Sequence, residues 1–506
     1  MLELIVQGFI TLLRKAFGVV FGSLGVGIAL RKTPPISMAP TNVTKAPEYL
    51  APALSPAPKK PVNSRANHFN AIVERQRDFF YSDATLPVEF RKQQLLKLRE
   101  SIVKFADRIV DAIHDDLKRA KSIAKATEFD LILGDLDYFV ENIEKWAATE
   151  ERQETPFGKA FVYKQPRGVA LIIGPFNFPI QLTIRPLIAA IGAGCTAVVK
   201  PSEVAENSAQ VIEDLLTSTF DPEYVAVVQG DGSDTASLLE QHFDHIFFTG
   251  GTQIGKIVMA AAAQHLATVT LEMGGKCPCV IDETADIDEV ISKFIMGRYL
   301  NNGQVCICPN HVIIHEKVKE EFVTKLVAAV TGLFGKHPKQ HPLYARMISK
   351  KHWNRVHRLI TASKGKVIYK SDDDDDHDDK FIAPYIVEVE ADDALLEEEL
   401  FAPIIPIITV KSKEEAFRFV RESREKPLAS YLFSKDKEFV EKFCREIYSG
   451  ATVVNDVMSQ YFNNDIPFGG VGNSGIGRTQ GKYGFDAFTH EKSVVQCNSA
   501  KGAFTP

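Results

Sequence analysis

The chain has 506 residues, 45% hydrophobic and 25% charged, with seven cysteines and a formal net charge of −6. Such a length exceeds one simple core and implies two or three domains. The acidic balance excludes general affinity for nucleic acid, and the sparse cysteines exclude a disulfide framework and imply a reducing intracellular compartment.

Residues 1–65 differ from the rest. The stretches 4–13 and 16–30 are apolar, split by Arg14 and Lys15 and closed by Arg31 and Lys32. As a helix the second run reaches roughly 22 Å, short of a ~30 Å hydrocarbon core. Three readings stay open: an anchor on the cytoplasmic face of a membrane, a basic mitochondrial presequence, or an upstream extension with Met38 as the true start. Residues 33–61 carry eight prolines and read as a linker.

From 66 to about 149 apolar positions recur at helical spacing, as at Phe90, Leu95, Leu98, Ile102 and Phe105. Strands follow at 161–164 and 169–173, then a helix over 180–192 and a strand over 196–200 stopped by Pro201. The rhythm continues with helices near 208–219, 235–241 and 256–265 and strands at 226–228 and 245–248. Strands alternating with helices imply an α/β fold with a parallel sheet covered on both faces. A second α/β alternation spans 279–454. The acidic run 372–379, with His377 inside it, reads as a solvated, disordered insertion. Residues 498–506 form a polar tail.

Chemistry concentrates at a few places. Cys306 follows the polar, turn-forming run Asn301-Asn302-Gly303-Gln304, and Glu272 is one carboxylate in an otherwise uncharged stretch. A thiol nucleophile and a carboxylate with a raised pKa are the two groups that acyl transfer to water needs. Gly250, Gly251 and Gly255 join a buried strand to an Ala-rich helix. There they either admit a phosphate to the helix N-terminus or make a tight turn. Lys200 and Glu203 close a strand where open α/β sheets bind ligands. They either grip ribose hydroxyls or belong to a solvated capping loop.

Gly470, Gly472 and Gly475 spell G-x-G-x-x-G, but no βαβ unit follows, so the segment reads as a loop. Cys277/Cys279 and Cys306/Cys308 are two C-x-C pairs, an unusual spacing for zinc, and no metal is expected. Cys195 and Cys444 read as buried fillers.

Together these segments resemble the aldehyde dehydrogenase superfamily over about residues 66–496. The similarity rests on ordered motifs: Gly174-Pro175-Phe176-Asn177-Phe178-Pro179, Lys200-Pro201-Ser202-Glu203, Phe248-Thr249-Gly250-Gly251-Thr252, and Leu271-Glu272-Met273-Gly274-Gly275-Lys276. It continues through Gly303-Gln304-Val305-Cys306, Glu399-Leu400-Phe401, the turn from Pro467 to Gly475, and Phe485-Asp486-Ala487-Phe488-Thr489-His490. The first and last motifs look most like the class 3 branch, with its fatty-aldehyde and fungal apocarotenal dehydrogenases.

The resemblance implies two doubly wound parallel-sheet domains plus a small bridging, oligomerising sheet. Residues 66–271 would bind cofactor, 272–480 would be catalytic with an acidic loop at 371–380, and 481–506 would supply a bridging strand and tail. Bridging strands would come from about 153–166 and 493–496. It further implies Cys306 as nucleophile, Glu272 as general base, and Asn177 donating to the oxyanion beside the Cys306 backbone N–H. Lys200 and Glu203 would hold the adenosine ribose, and Gly250, Gly251 and Gly255 would surround the pyrophosphate. Glu399 would bind the nicotinamide ribose, with Phe401 against the nicotinamide end.

The expected reaction is oxidation of a lipophilic aldehyde to the acid with NAD or NADP, by a homodimer that reaches a membrane surface through its N-terminus. A CoA-acylating enzyme and a silent binding protein of the same fold are the alternatives. Three departures stand out: Gly251 where many relatives have Ser or Thr, Ala402 where many have Gly, and Phe178 in place of a tyrosine. The first removes a hydroxyl near the pyrophosphate, the second adds a methyl near the nicotinamide, and the third makes the substrate tunnel less polar.

Overall fold

The computed structural model describes residues 64–155 and 158–497. The apolar N-terminal segment, its linker and the polar tail lie outside the described residues.

Four helices open the described chain: α1 (Ser64–Tyr81), α2 (Val88–Lys104), α3 (Ala106–Leu117) and α4 (Asp130–Ala147). Leu95, Leu98 and Ile102 form the buried stripe of α2, as their spacing requires. Between α3 and α4 a short helix, Lys121–Ala124, passes into a π-helical turn at Lys125–Phe129. The hairpin β1 (Glu150–Thr155) and β2 (Gly158–Pro166) follows.

The first large sheet is built from β3 (Val169–Ile173), α5 (Gln181–Ala193), β4 (Thr196–Lys200), α6 (Glu206–Thr219) and β5 (Val225–Val227). It continues through α7 (Gly232–Leu239), β6 (His245–Gly250), α8 (Thr252–Ala263) and β7 (Thr268–Met273). The second is built from β8 (Pro278–Ile281), α9 (Ile287–Tyr299), β9 (His311–His315), α10 (Glu316–Phe334), α11 (Lys350–Ala362) and β10 (Lys366–Lys370). It is completed by β11 (Tyr385–Glu388), β12 (Ile404–Val410), α12 (Lys413–Glu422), β13 (Ala429–Phe433), α13 (Lys437–Glu446) and β14 (Ala451–Val454). The chain then returns through β15 (Gly475–Ile476), α14 (Gly481–Ala487) and β16 (Thr489–Gln496).

The strand orders are β15-β7-β6-β3-β4-β5 and β10-β11-β12-β9-β8-β13-β14, and β1-β2-β16 makes the separate small sheet expected for bridging. Pairing is parallel throughout the first sheet except at β15, and throughout the second except between β10 and β11. Every residue of β3 and β4 is buried, because helices cover both faces. In the first sheet the strand order reverses between β3 and β6, so the crevice beyond their carboxyl ends is the natural ligand site.

Four expectations need correction. A division between 271 and 272 falls inside β7, and β15 and α14 return to the first sheet and its helices. The C-terminal glycine loop holds a short strand, β15, paired to Leu271 and Glu272. The acidic run is ordered, because its carboxylates have partners. Asp373 accepts from Lys339 N, Asp375 accepts from Ala383 N and Tyr385 Oη, and Asp379 pairs with Arg346. Finally, Cys195 is buried as expected, but Cys444 is exposed.

Candidate active site

Cys306 and Glu272 line one cavity, although 34 residues separate them in sequence. Glu272 rides near the end of β7, and Cys306 follows a tight reversal after α9. Asn301, Asn302 and Gly303 all take positive φ there (49°, 52° and 77°), and a Cβ on Gly303 would come within 2.1 Å of Arg298. That reversal directs the Cys306 loop toward the first sheet. Most of the cavity wall is hydrocarbon, including Phe178, Leu182, Val305, Ile307, Met458 and Phe468.

Burial holds the Glu272 carboxyl well above the usual carboxylate range, with the Arg478 charge partly opposing. Among the described residues neither of its oxygens has a hydrogen-bond partner. An unpartnered buried carboxyl typically costs stability, so this one is kept for a task. Its near wall is the turn that leads into the G-x-G-x-x-G run: a Cβ on Gly469 would lie 3.2 Å from Glu272 Oε1. The Cys306 thiol is also pushed up, first by burial and then by the Glu399 and Glu272 charges.

Asn177, in the loop after β3, donates from its side-chain amide to the Gln304 carbonyl at 3.1 Å. This brings it to the Cys306 loop. Gln304 is itself fixed, donating to Asn301 O (3.1 Å) and Arg346 O (2.9 Å) and accepting from Ile348 N (3.1 Å).

The other sequence-assigned residues gather at the carboxyl ends of the first sheet and beside the Cys306 loop. Lys200 ends β4 and pairs with Glu203 at 2.7 Å. Ser202 accepts from Val204 N at 3.4 Å and does not cap α6. Instead Asp116 accepts from the first-turn N–H groups of α6 at Asn207 and Ser208. Gly250 ends β6, and Gly251 caps α8 without any side-chain hydrogen bond. Among the described residues no atom lies within 4 Å of a Cβ built on Gly251, so the approach to the start of α8 is open at that residue. Gly255 is buried against β7, where a Cβ would sit 2.3 Å from Met273 Sδ. Close helix–sheet packing explains that glycine.

Glu399 lies against Gly274 and accepts from the Gly275 N–H, and burial pushes its carboxyl up to about 8. Phe401 meets Phe176 edge-on with centroids 5.9 Å apart. Ala402 is fully buried in the hydrophobic core around the second sheet.

An open helix N-terminus, a lysine–glutamate pair beyond the neighbouring strand, and a buried carboxylate near the thiol fit the phosphates and two riboses of a dinucleotide.

Sequence reasoning missed Arg119 and Glu128, a fully buried ion pair (2.6 Å) behind Asn177, and the Asp135–Arg185 pair at the cavity wall. In an amphipathic helical stretch such charges read as solvated, and only burial distinguishes them. Arg478, whose charge acts on Glu272, likewise carried no local signal.

The aldehyde dehydrogenase family matches residues 44–494. The chain is 39% identical over 422 residues to the 4,4'-diaponeurosporen-aldehyde dehydrogenase of Staphylococcus aureus, covering 82% of this chain and 91% of that one. It is 36% identical over 433 residues to the dimeric NADP-preferring aldehyde dehydrogenase of Mus musculus, covering 85% and 94%. A solved structure, the substrate-bound state of Staphylococcus aureus AldH, superposes with a TM-score of 0.83 at 37% identity, covering 86% of this chain and 96% of that one. The resemblance read from the motifs, and the fold it implied, are borne out.

Proposed function

This chain belongs to the aldehyde dehydrogenase family, whose members oxidise aldehydes with NAD(P), and we propose that it converts lipophilic aldehydes to acids through a Cys306 thioester. The observation that carries this is the pairing of Cys306 with the unpartnered, buried Glu272 in one apolar cavity.

In the proposed sequence Cys306 gives its proton to solvent and the thiolate Sγ bonds to the aldehyde carbon. The resulting oxyanion receives the Asn177 amide N–H and the Cys306 backbone N–H, donors that typically contribute about 10²–10³ in rate each. When bound, NAD(P) supplies the acceptor for the hydride that this carbon must lose. Lys200, Glu203, Gly250 and Gly251 would hold its adenosine and phosphate half, and Glu399 and Phe401 its nicotinamide half. Water then attacks the Cys306 thioester, Glu272 takes its proton, and the C–S bond breaks to release the acid. Water is the acceptor in this scheme because transfer to CoA needs no base such as Glu272.

The hydrocarbon cavity wall supports a lipophilic substrate, and so does the aldehyde in the name of the S. aureus relative. A homodimer is supported by the word dimeric in the mouse relative's name and by the exposed Ile254, Ile257 and Leu266 on and after α8. Association with a membrane surface rests on the apolar N-terminal sequence, and among the described residues no helix is long and apolar enough to cross a membrane.

The test is a panel of aldehydes with wild type and Cys306→Ser, each with NAD and NADP. The substitution should abolish acid formation, and kcat/KM should climb with chain length. Activity above a few per cent in the variant defeats the nucleophile, and a preference for short polar aldehydes defeats the substrate class.

A further inference from the structure

The buried pair Arg119–Glu128 has no place in the scheme above, yet it touches each segment that frames the oxyanion. Arg119 lies after α3, is only 2% exposed, and donates to Glu128 Oε1 at 2.6 Å. It also donates to the Asn177 carbonyl and to Asn301 Oδ1 (3.2 Å), and its guanidinium lies 4.4 Å from the Phe178 ring centroid. Glu128 Oε2 accepts from Ile180 N (2.9 Å) and Gln181 N (3.1 Å), supplying the cap that α5 lacks from its own N-cap residue. Asn301 closes the ring, donating to Asn177 O at 3.1 Å and Gln304 O at 3.3 Å.

Three distant stretches of chain thus meet on one guanidinium: the π-helical turn carrying Glu128, the Asn177–Gln181 loop, and the Asn301–Gln304 reversal. A π-turn is a rare local distortion, often found at functional sites, and here it carries the buried Glu128. Burying an ion pair seldom adds net stability over an apolar core, so its retention suggests a specific use. Lysine would keep the charge of Arg119 but not the planar fork that reaches three acceptors at once.

We propose that Arg119 and Glu128 are positioning residues, which clamp the Asn177 backbone so that its side-chain amide faces the Cys306-bound oxygen. This rests on the oxyanion role proposed for Asn177. The Gln304 bond uses one hydrogen of that amide, and the clamp aims the other. Rate falls steeply when such a donor is misplaced.

The experiment is a double-mutant cycle on the full-length enzyme, read as the pre-steady-state NADH burst rate with a saturating aldehyde. Glu128→Gln keeps the shape of the side chain and should slow the burst about 10- to 100-fold, with Asn177→Ala about 10²–10³-fold. The alkylation rate of Cys306 by iodoacetamide, which passes through no oxyanion, should stay within twofold, as should KM for the cofactor. Combined, the two substitutions should be no slower than Asn177→Ala alone. Arg119→Lys, read by the same burst, should fall between wild type and Glu128→Gln.

Losses that multiply in the double mutant overturn the proposal, as do alkylation and burst rates that fall together. An Asn177→Ala burst at wild-type speed would instead show that the oxyanion reading beneath it has failed.

Discussion

Replacing Glu272 with Gln should separate the chemical halves of the reaction and also change how stability depends on pH. A general base contributes about 10²–10⁴ in rate, so steady-state turnover should drop by that factor. Acylation leaves one NADH per site, so the burst should survive at near-stoichiometric amplitude.

The stability effect follows from burial. The unfolded carboxyl loses its proton near the ordinary value of 4.5, while the folded one keeps it to higher pH because of desolvation. Between those points the native state binds more protons, so wild-type stability falls as pH rises and then levels off. Each tenfold difference in proton affinity is worth about 1.4 kcal/mol. Glu272→Gln removes this slope. Glu272→Leu also removes two unpartnered oxygens, and buried unpartnered groups cost about 1–3 kcal/mol. For domains of roughly 150–250 residues, each kcal/mol moves Tm by about 2–4 °C. Stopped-flow NADH fluorescence and thermal melts at pH 5 and pH 8 read both effects. A variant that retains more than a few per cent of turnover refutes the base. A melting temperature that falls with pH as steeply as in wild type refutes the account of the buried carboxyl.

Further outcomes follow from the same geometry. Burial pushes the Glu399 carboxyl up to about 8, so KM for the cofactor should improve as pH rises past about 8 in wild type and not in Glu399→Gln. Because that pKa is raised, Glu399 also lowers stability progressively from about pH 4.5 to about 8, a decline that melts of Glu399→Gln should lack. Gly251→Ser meets open space and should leave Tm unchanged, whereas Gly255→Ala must displace Met273 Sδ and should destabilise by about 1–3 kcal/mol. Asp375→Ala should cost about 1–2 kcal/mol by stranding Ala383 N–H and Tyr385 Oη–H, while Asp374→Ala, whose side chain is 98% exposed, should leave denaturant midpoints unchanged.

The alternation of apolar runs and glycine-rich turns was enough to read the parallel α/β units, because burial on both faces forces strands such as 169–173 and 196–200 to be apolar throughout. Cys306 and Glu272 were legible for a similar reason: a thiol after a polar turn and a carboxylate in an uncharged strand are exceptions to local rules. The acidic run was misread, since a block of like charge looks solvated until Lys339 N, Arg346 and Ala383 N are seen to meet it. The packing of Gly255 on Met273 was not legible, because a glycine that admits phosphate and one that admits a neighbouring methionine look alike in sequence.

Local chemistry in the sequence determined which groups react and which stretches become strands and helices, since these depend on residues a few positions apart. The tertiary structure alone decided that the loop from 467 to 475 walls in Glu272 and that Arg119 and Glu128 are buried behind Asn177. Those contacts join positions tens to hundreds of residues apart, and only the folded chain sets the desolvation that tunes their charges.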